Sequence, residues 1–392
     1  MGLQRGHGCG PGSVVALHSF TKVELLEGLL SYAGYEEIKP EGATDAGMFY
    51  TYFPRLGETL ETPKPDSPVV IWMNGGPGSS SQIGSWTEIG PVECVNGTDG
   101  KQALKPREPV TGVGLSFTVP NNLTVNSTIT AGKHFVQFFT QLFEGSLAPL
   151  KSNPLYIVGE SFGGHYAPYF TWLLARQGVR ISGMMIVDGW SYPEVQSQYY
   201  AAFLRSWGVA AGATVDRVLG QQANVALTIR QGNLEAASGL FDEVTGDNYP
   251  GEGRDPFEIW MNNNKKALGA PDFANFSSGN EIIYNAFKQD IPRSYADYVA
   301  EVAGQMPVLV INGQLDYIVN TEGVINELEL KGLIDGQGGP WRLDGQMAGR
   351  VYKGKLTLAV VNLAGHTVPE YQPGPARDAI RHLLSNSSDW DN

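Results

Sequence analysis

Leu155-Tyr156-Ile157-Val158-Gly159-Glu160-Ser161-Phe162-Gly163 is the stretch that decides the fold. Its first four residues are continuously apolar and include two β-branched side chains, which predicts a strand buried on both faces. The next five read Gly-x-Ser-x-Gly. A helical pattern follows, carrying Tyr166, Tyr169, Phe170, Leu173 and Leu174. A serine on a sharp turn between strand and helix projects its oxygen from the strand end. Glycines two before and two after let neighbouring backbone pass where a Cβ would clash. The bare five-residue pattern is common by chance; its strand-to-helix setting makes Ser161 a candidate nucleophile.

Outward from this point, residues 69–73, 184–187, 308–311 and 356–361 are further short apolar runs that predict buried strands. Before the serine, residues 129–143 repeat Phe135, Phe138, Phe139 and Leu142 at helical spacing on one face. Such strands alternating with helices predict an α/β fold, with a mostly parallel central sheet flanked by helices. Residues 191–300 contain no run of this type. They carry helical patterns, such as 198–207, and a polar Gly/Asp/Asn/Pro loop at 245–256. Lying between two sheet strands, they occupy the place of a helical cap insertion, a run of ordinary core helices being the other reading. The expected organisation is an N-terminal extension at 1–30, core at 31–190, cap at 191–300 and core again at 301–392. The tail from 385 is expected to fray.

A serine hydroxyl is a weak nucleophile and needs a base. Of six histidines, His366 lies in Ala364-Gly365-His366-Thr367-Val368-Pro369, directly after the run 356–361. His7 and His18 belong to the N-terminal extension, His134 and His382 to helical patterns, and His165 to the helix behind the serine. An orienting acid is expected between serine and histidine. Asp316 fits, in the loop Asn312-Gly313-Gln314-Leu315-Asp316 just past the run 308–311. Taken singly, a loop histidine bonding backbone and a turn aspartate are the ordinary readings. Together, three polar residues each follow a strand in the order Ser, Asp, His, which is the α/β-hydrolase order. Trp72-Met73-Asn74-Gly75-Gly76-Pro77-Gly78-Ser79-Ser80-Ser81 also follows a strand. Its glycines let backbone N–H groups face a ligand, so the N–H groups of Gly76 and Phe162 are candidate oxyanion donors. A phosphate-binding loop would carry Lys-Ser/Thr after the glycines, and this one does not.

The chain's 392 residues suit one large α/β domain with an insertion, or two domains. Hydrophobic residues at 42% and charged residues at 17% are globular rather than disordered composition. Forty acidic against 27 basic residues leave a net charge of −13, which phosphate backbones repel, so nucleic acid is not an expected partner. No apolar run reaches the roughly 18 residues of a transmembrane helix. Two cysteines, Cys9 and Cys94, exclude a disulfide scaffold and give no support for thiolate metal ligation; no metal or cofactor is expected. Sequons starting at Asn96, Asn122, Asn126, Asn275 and Asn386 lean towards a secretory route, although the apolar residues 14–17 are too short for a signal-peptide core.

Four segments together resemble the serine carboxypeptidase family: Trp72–Gly78, Gly159–Gly164, Asn312–Asn320 and Ala364–Pro369. Gly-Gln-Leu-Asp in the third is most similar to the vitellogenic-like carboxypeptidase branch. Weaker similarity runs from Tyr32 to Leu384. The resemblance implies a serine-type carboxypeptidase of α/β-hydrolase fold, releasing C-terminal residues from peptides and proteins through an acyl-enzyme at acidic pH. It implies Ser161 as nucleophile, Asp316 as orienter, His366 as base, and Gly76 and Phe162 as backbone oxyanion donors. It further implies that Asn74, Gly75 and Glu160 hold the substrate's terminal carboxylate, supported by Glu88. Vacuolar, lysosomal or extracellular residence goes with the family.

The chain also departs from the family. Ser79 stands where many relatives have Cys, and Gln314 and Tyr371 replace acids common near the Asp and His loops. Residues 94–109 are polar where relatives carry an apolar strand, which implies that a central strand is missing or rebuilt. Two alternatives therefore stay open: an acyltransferase passing the acyl group to an alcohol, and a catalytically silent binding or protective homologue.

Overall fold

The computed structural model describes residues 20–26, 29–90, 92–96, 102–106, 116–119, 125–246, 261–263, 265–266, 270, 276–387 and 389–390. Its strands in chain order are β1 (Phe20–Leu26), β2 (Leu29–Glu37), β3 (Asp45–Tyr52), β4 (Val69–Met73), β5 (Val92–Asn96), β6 (Gln102–Pro106) and β7 (Phe117–Val119). They continue with β8 (Leu155–Glu160), β9 (Gly183–Val187), β10 (Val308–Gly313), β11 (Gly339–Leu343), β12 (Gln346–Lys353) and β13 (Thr357–Val361).

Seven strands form the main sheet, in the order β11-β12-β13-β10-β9-β8-β4. Neighbours from β13 to β4 pair in parallel, and β12 and β11 close one end antiparallel. This is the mostly parallel sheet of an α/β-hydrolase fold. Its parallel strands are near-continuously apolar because each feeds two cores by the two-residue alternation of a strand. Ile71, Met73, Ile157, Met184, Ile186, Val308, Val310 and Val360 enter one buried cluster. Trp72, Val158, Met185, Val187, Leu309, Ile311 and Val361 enter the other. The first face is covered by α1 (Thr128–Glu144) and α2 (Gly163–Arg176), through Phe135, Phe138, Phe139, Phe170 and Leu174.

Between β9 and β10 run α3 (Pro193–Gln196), α4 (Tyr200–Ser206), α5 (Ala213–Arg230), α6 (Leu234–Thr245), α7 (Glu281–Ala286) and α8 (Ala296–Ala303). Most of the polar loop expected at 245–256 lies outside the described residues. After β10 come α9 (Thr321–Leu330), then α10 (Val368–Tyr371) and α11 (Pro373–Ser385), which covers the second sheet face with Ala376, Ala379 and Leu383.

The antiparallel set β1-β2-β3-β7 stands as a second sheet. The segment expected to lack or rebuild a strand pairs with itself: β5 and β6 run antiparallel, Val92 opposite Pro106 and Cys94 opposite Leu104. Residues 107–115 lie outside the described residues, as do 1–19 with Cys9, and the sequon asparagines Asn122 and Asn275.

Candidate active site

β8 extends to Glu160, and the chain then reverses through Ser161 into α2. Ser161 takes φ +58°, a left-handed conformation that a non-glycine residue adopts only when its surroundings hold it there. They do: Ser161 N donates to Val187 O at 2.9 Å, and Ser161 O accepts from Gly164 N and Trp190 N, each at 2.9 Å. Gly159 is glycine of necessity, since a Cβ there would lie 2.2 Å from Gly163 O.

The side chains expected from three separate loops meet. His366 Nε2 is 2.9 Å from Ser161 Oγ, and His366 Nδ1 is 2.7 Å from Asp316 Oδ2. A carboxylate only accepts, so Nδ1 carries the proton and Nε2 is left to accept from the serine hydroxyl. Asp316 is 1% exposed, and its Oδ1 also accepts from Val319 N at 3.1 Å. Both loops are held in turn. Asn312 donates to Val319 O and Thr321 Oγ1, shaping the Asp316 loop. Gln314 Oε1 accepts from Leu363 N at 3.2 Å, tying that loop to the one bearing His366. The sequence marked Gln314 only as a departure; its bridging contact depends on β10 and β13 being neighbours. His165, by contrast, is buried in α2 with Nδ1 at 2.5 Å from Trp190 O, away from the serine.

Asn74, Gly75, Gly76, Glu160, Ser161, Phe162 and His366 all line one cavity of about 230 Å³. Gly76 has φ +102°, a backbone state that suits glycine. Asn74 is fixed from both ends of its amide. Its Oδ1 accepts from Trp72 Nε1 at 2.9 Å and Gly84 N at 3.1 Å. Its Nδ2 donates to Glu160 Oε1 at 2.8 Å and Glu88 Oε1 at 3.1 Å. Glu88, in the π-helical turn Gly84–Glu88, stands behind Asn74 at 2% exposure, and Glu160 is 4% exposed. Burial is the first cause that pushes both carboxyls above their ordinary range, and for Glu160 the charge of Glu88 is the next. Two buried carboxyls beside one another hold a proton between them. One donor atom, Asn74 Nδ2, serves both, and the outer oxygens Glu88 Oε2 and Glu160 Oε2 are buried.

Much of the remaining lining is apolar and aromatic: Trp190, Phe241, Tyr284, Ile291, Ile318 and Val319. Phe241 comes from α6 and Tyr284 from α7, so the segment between β9 and β10 builds much of it. These side chains had no signal in the sequence, because only tertiary packing brings them to the serine. Asp188, the residue after β9, was also missed; it lies beneath Asp316, buried, with Oδ1 accepting from Gly313 N at 2.7 Å.

A serine hydroxyl, an imidazole and a buried carboxyl in hydrogen-bonded sequence, beside a cavity, suit acyl transfer. Comparison with known proteins points the same way. The family model described as serine carboxypeptidase matches residues 25–241 and 242–386. Serine carboxypeptidase-like 50 of Arabidopsis thaliana is 27% identical, over 90% of this chain and 87% of its own length. The venom serine carboxypeptidase of Apis mellifera is 27% identical, over 92% of this chain and 85% of its own. Among solved structures, the prohormone-processing carboxypeptidase Kex1Δp of Saccharomyces cerevisiae superposes with a TM-score of 0.76 at 18% identity, covering 93% of this chain and 95% of that one, a likeness of fold.

Proposed function

Because the chain belongs to the serine carboxypeptidase family, we propose that it hydrolyses C-terminal residues from peptides and proteins through an acyl-enzyme formed on Ser161. The observation that carries this reading is the continuous chain Ser161 Oγ to His366 Nε2 at 2.9 Å and His366 Nδ1 to Asp316 Oδ2 at 2.7 Å.

In this reading Ser161 Oγ attacks the last peptide carbonyl while its proton passes to His366 Nε2, and Asp316 stabilises the imidazolium. The N–H groups of Gly76 and Phe162 receive the developing oxyanion. His366 then protonates the leaving amine, and water repeats the sequence to free the enzyme. The leaving residue is an amino acid with a free carboxylate. Asn74, Gly75 and Glu160 receive it, with Glu88 sharing the proton that lets Glu160 donate rather than repel. A protonated pair works best in acid, which supports an acidic working range. No helix among the described residues is long and apolar enough to cross a membrane. Passage through the secretory route is part of the proposal, supported by the exposed sequon residues Asn126 and Asn386.

Ser161→Ala, assayed with a blocked dipeptide at acidic pH, is the direct test. It is expected to lower kcat by roughly 10³-fold or more with the melting temperature little changed. A variant that keeps its activity would refute the assignment.

A further inference from the structure

The acid of the triad has a second acid behind it. Asp188 follows β9 with φ +46°, its N donates to Ile311 O at 2.8 Å, and its side chain is fully buried. One carboxylate oxygen each from Asp188 and Asp316 and a ring nitrogen of His366 lie within 4.8 Å of one another. Asp188 Oδ1 is occupied by Gly313 N–H. Asp188 Oδ2 is buried with no donor placed against it among the described residues, and the Asp316 carboxyl stands within side-chain hydrogen-bonding reach of Asp188.

Two carboxyls this close and this deeply buried do not both ionise. The proton settles on the one whose charge its neighbours compensate less. Asp316 accepts from the His366 ring and from Val319 N, whereas Asp188 accepts from a single backbone N–H. Burial, and next the charge of Asp316, hold the Asp188 carboxyl well above its ordinary range. The other titratable groups facing this cluster are Glu160 at the end of β8 and Glu88 from the π-helical turn, with Glu370 of α10 acting on Glu88. All are acids, so each favours the neutral form of Asp188.

We propose that Asp188 is a positioning residue of the triad: in its neutral form it donates a hydrogen bond to Asp316, spreads that carboxylate's charge, and so keeps His366 a free base in acid solution. The inference rests on the triad assignment made above. The sign follows from charge dispersal. An Asp316 that shares its charge with a donor stabilises the imidazolium less, and His366 gives up its proton at lower pH. Without the donor the charge on Asp316 is undiluted, and His366 holds its proton to higher pH.

Two substitutions test this, both tolerant of φ above zero. Asp188→Asn supplies a permanent neutral donor and keeps the acceptor for Gly313. Asp188→Gly removes the side chain. The readout is the proton NMR titration of the His366 ring in the whole protein without substrate, its signal identified by loss in His366→Ala. Because no turnover is measured, the result stands apart from that of Ser161→Ala. The acid limb of kcat/KM on an ester lacking a free carboxylate, which does not call on Glu88 and Glu160, gives the kinetic counterpart. Asp188→Asn is expected to leave the His366 midpoint within a few tenths of a unit of the parent. Asp188→Gly is expected to raise it by about one unit. A fall of a unit in Asp188→Asn would mean that Asp188 was ionised and would overturn the proposal, as would an unmoved midpoint in Asp188→Gly. If the glycine variant does not fold, a fall in Asp188→Asn still overturns the proposal, and a midpoint held within a few tenths supports the neutral form it requires.

Discussion

Glu160 sits beside Ser161 in the chain and shares the Asn74 amide with Glu88, so it joins the proposed reacting centre to the paired acids. Both carboxyls are raised above the ordinary range, chiefly by burial. In the proposed carboxylate-binding role, the pair is protonated below that raised range and donates to a peptide's terminal carboxylate; above it the pair is anionic and repels the same group. Peptide hydrolysis is therefore expected to fall as pH rises, while an ester without a free carboxylate is less affected. Glu160→Gln, a neutral donor at every pH, is expected to flatten the alkaline fall for peptides. Profiles of kcat/KM against pH for both substrate types check this, and identical profiles for peptide and ester would count against it. At this scale the sequence was only partly legible. Ser161, Asp316 and His366 were legible because each follows an apolar strand. Glu88 came from family resemblance alone. Asp188 and Gln314 act across neighbouring strands, and no local pattern announces a contact of that kind.

Two turns, at the ends of β4 and β8, must pack backbone to backbone for the site to form. A Cβ on Gly75 would lie 2.3 Å from Phe162 N and 2.8 Å from Glu160 O. Neither atom can yield without moving the turn that carries Ser161. Gly75→Ala is accordingly expected to lower kcat by about 10²-fold or more by displacing the oxyanion donors. Steady-state kinetics beside a thermal melt would check it, and a variant with parental kcat would show that the two turns need not touch. The same strands explain what was legible among the elements. Those buried on both faces gave continuous apolar runs. β11 and β12 escaped, because their mixed, partly exposed residues read as polar loop. Their one local signal was the connecting Asp344-Gly345, at φ +52° and +76°, a dipeptide suited to a tight hairpin turn. The self-paired β5 and β6 were foreseen only as a departure, since their polar residues do not say what they pair with.

Across the whole molecule, the buried acids extend beyond the cavity. Glu327 of α9 is 1% exposed, accepts from Ser191 Oγ at 2.5 Å, and is pushed by burial up to about 8. An unfolded glutamate titrates near 4.5. Between these values the folded chain holds a proton that the unfolded chain has lost. The stability contributed by the neutral carboxyl is complete below about 4.5 and declines as pH rises through about 8. Glu88, Glu160 and Asp188, raised in the same direction, add to the decline. The melting temperature is expected to fall between pH 5 and pH 8, and to fall less in Glu327→Gln. Calorimetry on both proteins checks this; a melting temperature that rises over the interval would contradict it. The aromatic wall of the cavity has one more consequence. Phe241 and Tyr284 arrive on helices, whereas Ser161, Asp316 and His366 stand just past the tips of β8, β10 and β13. On the proposed reading, taste and bite thus reside on different lengths of polypeptide, so substitutions at Phe241 or Tyr284 are expected to retune the first and leave the second in place.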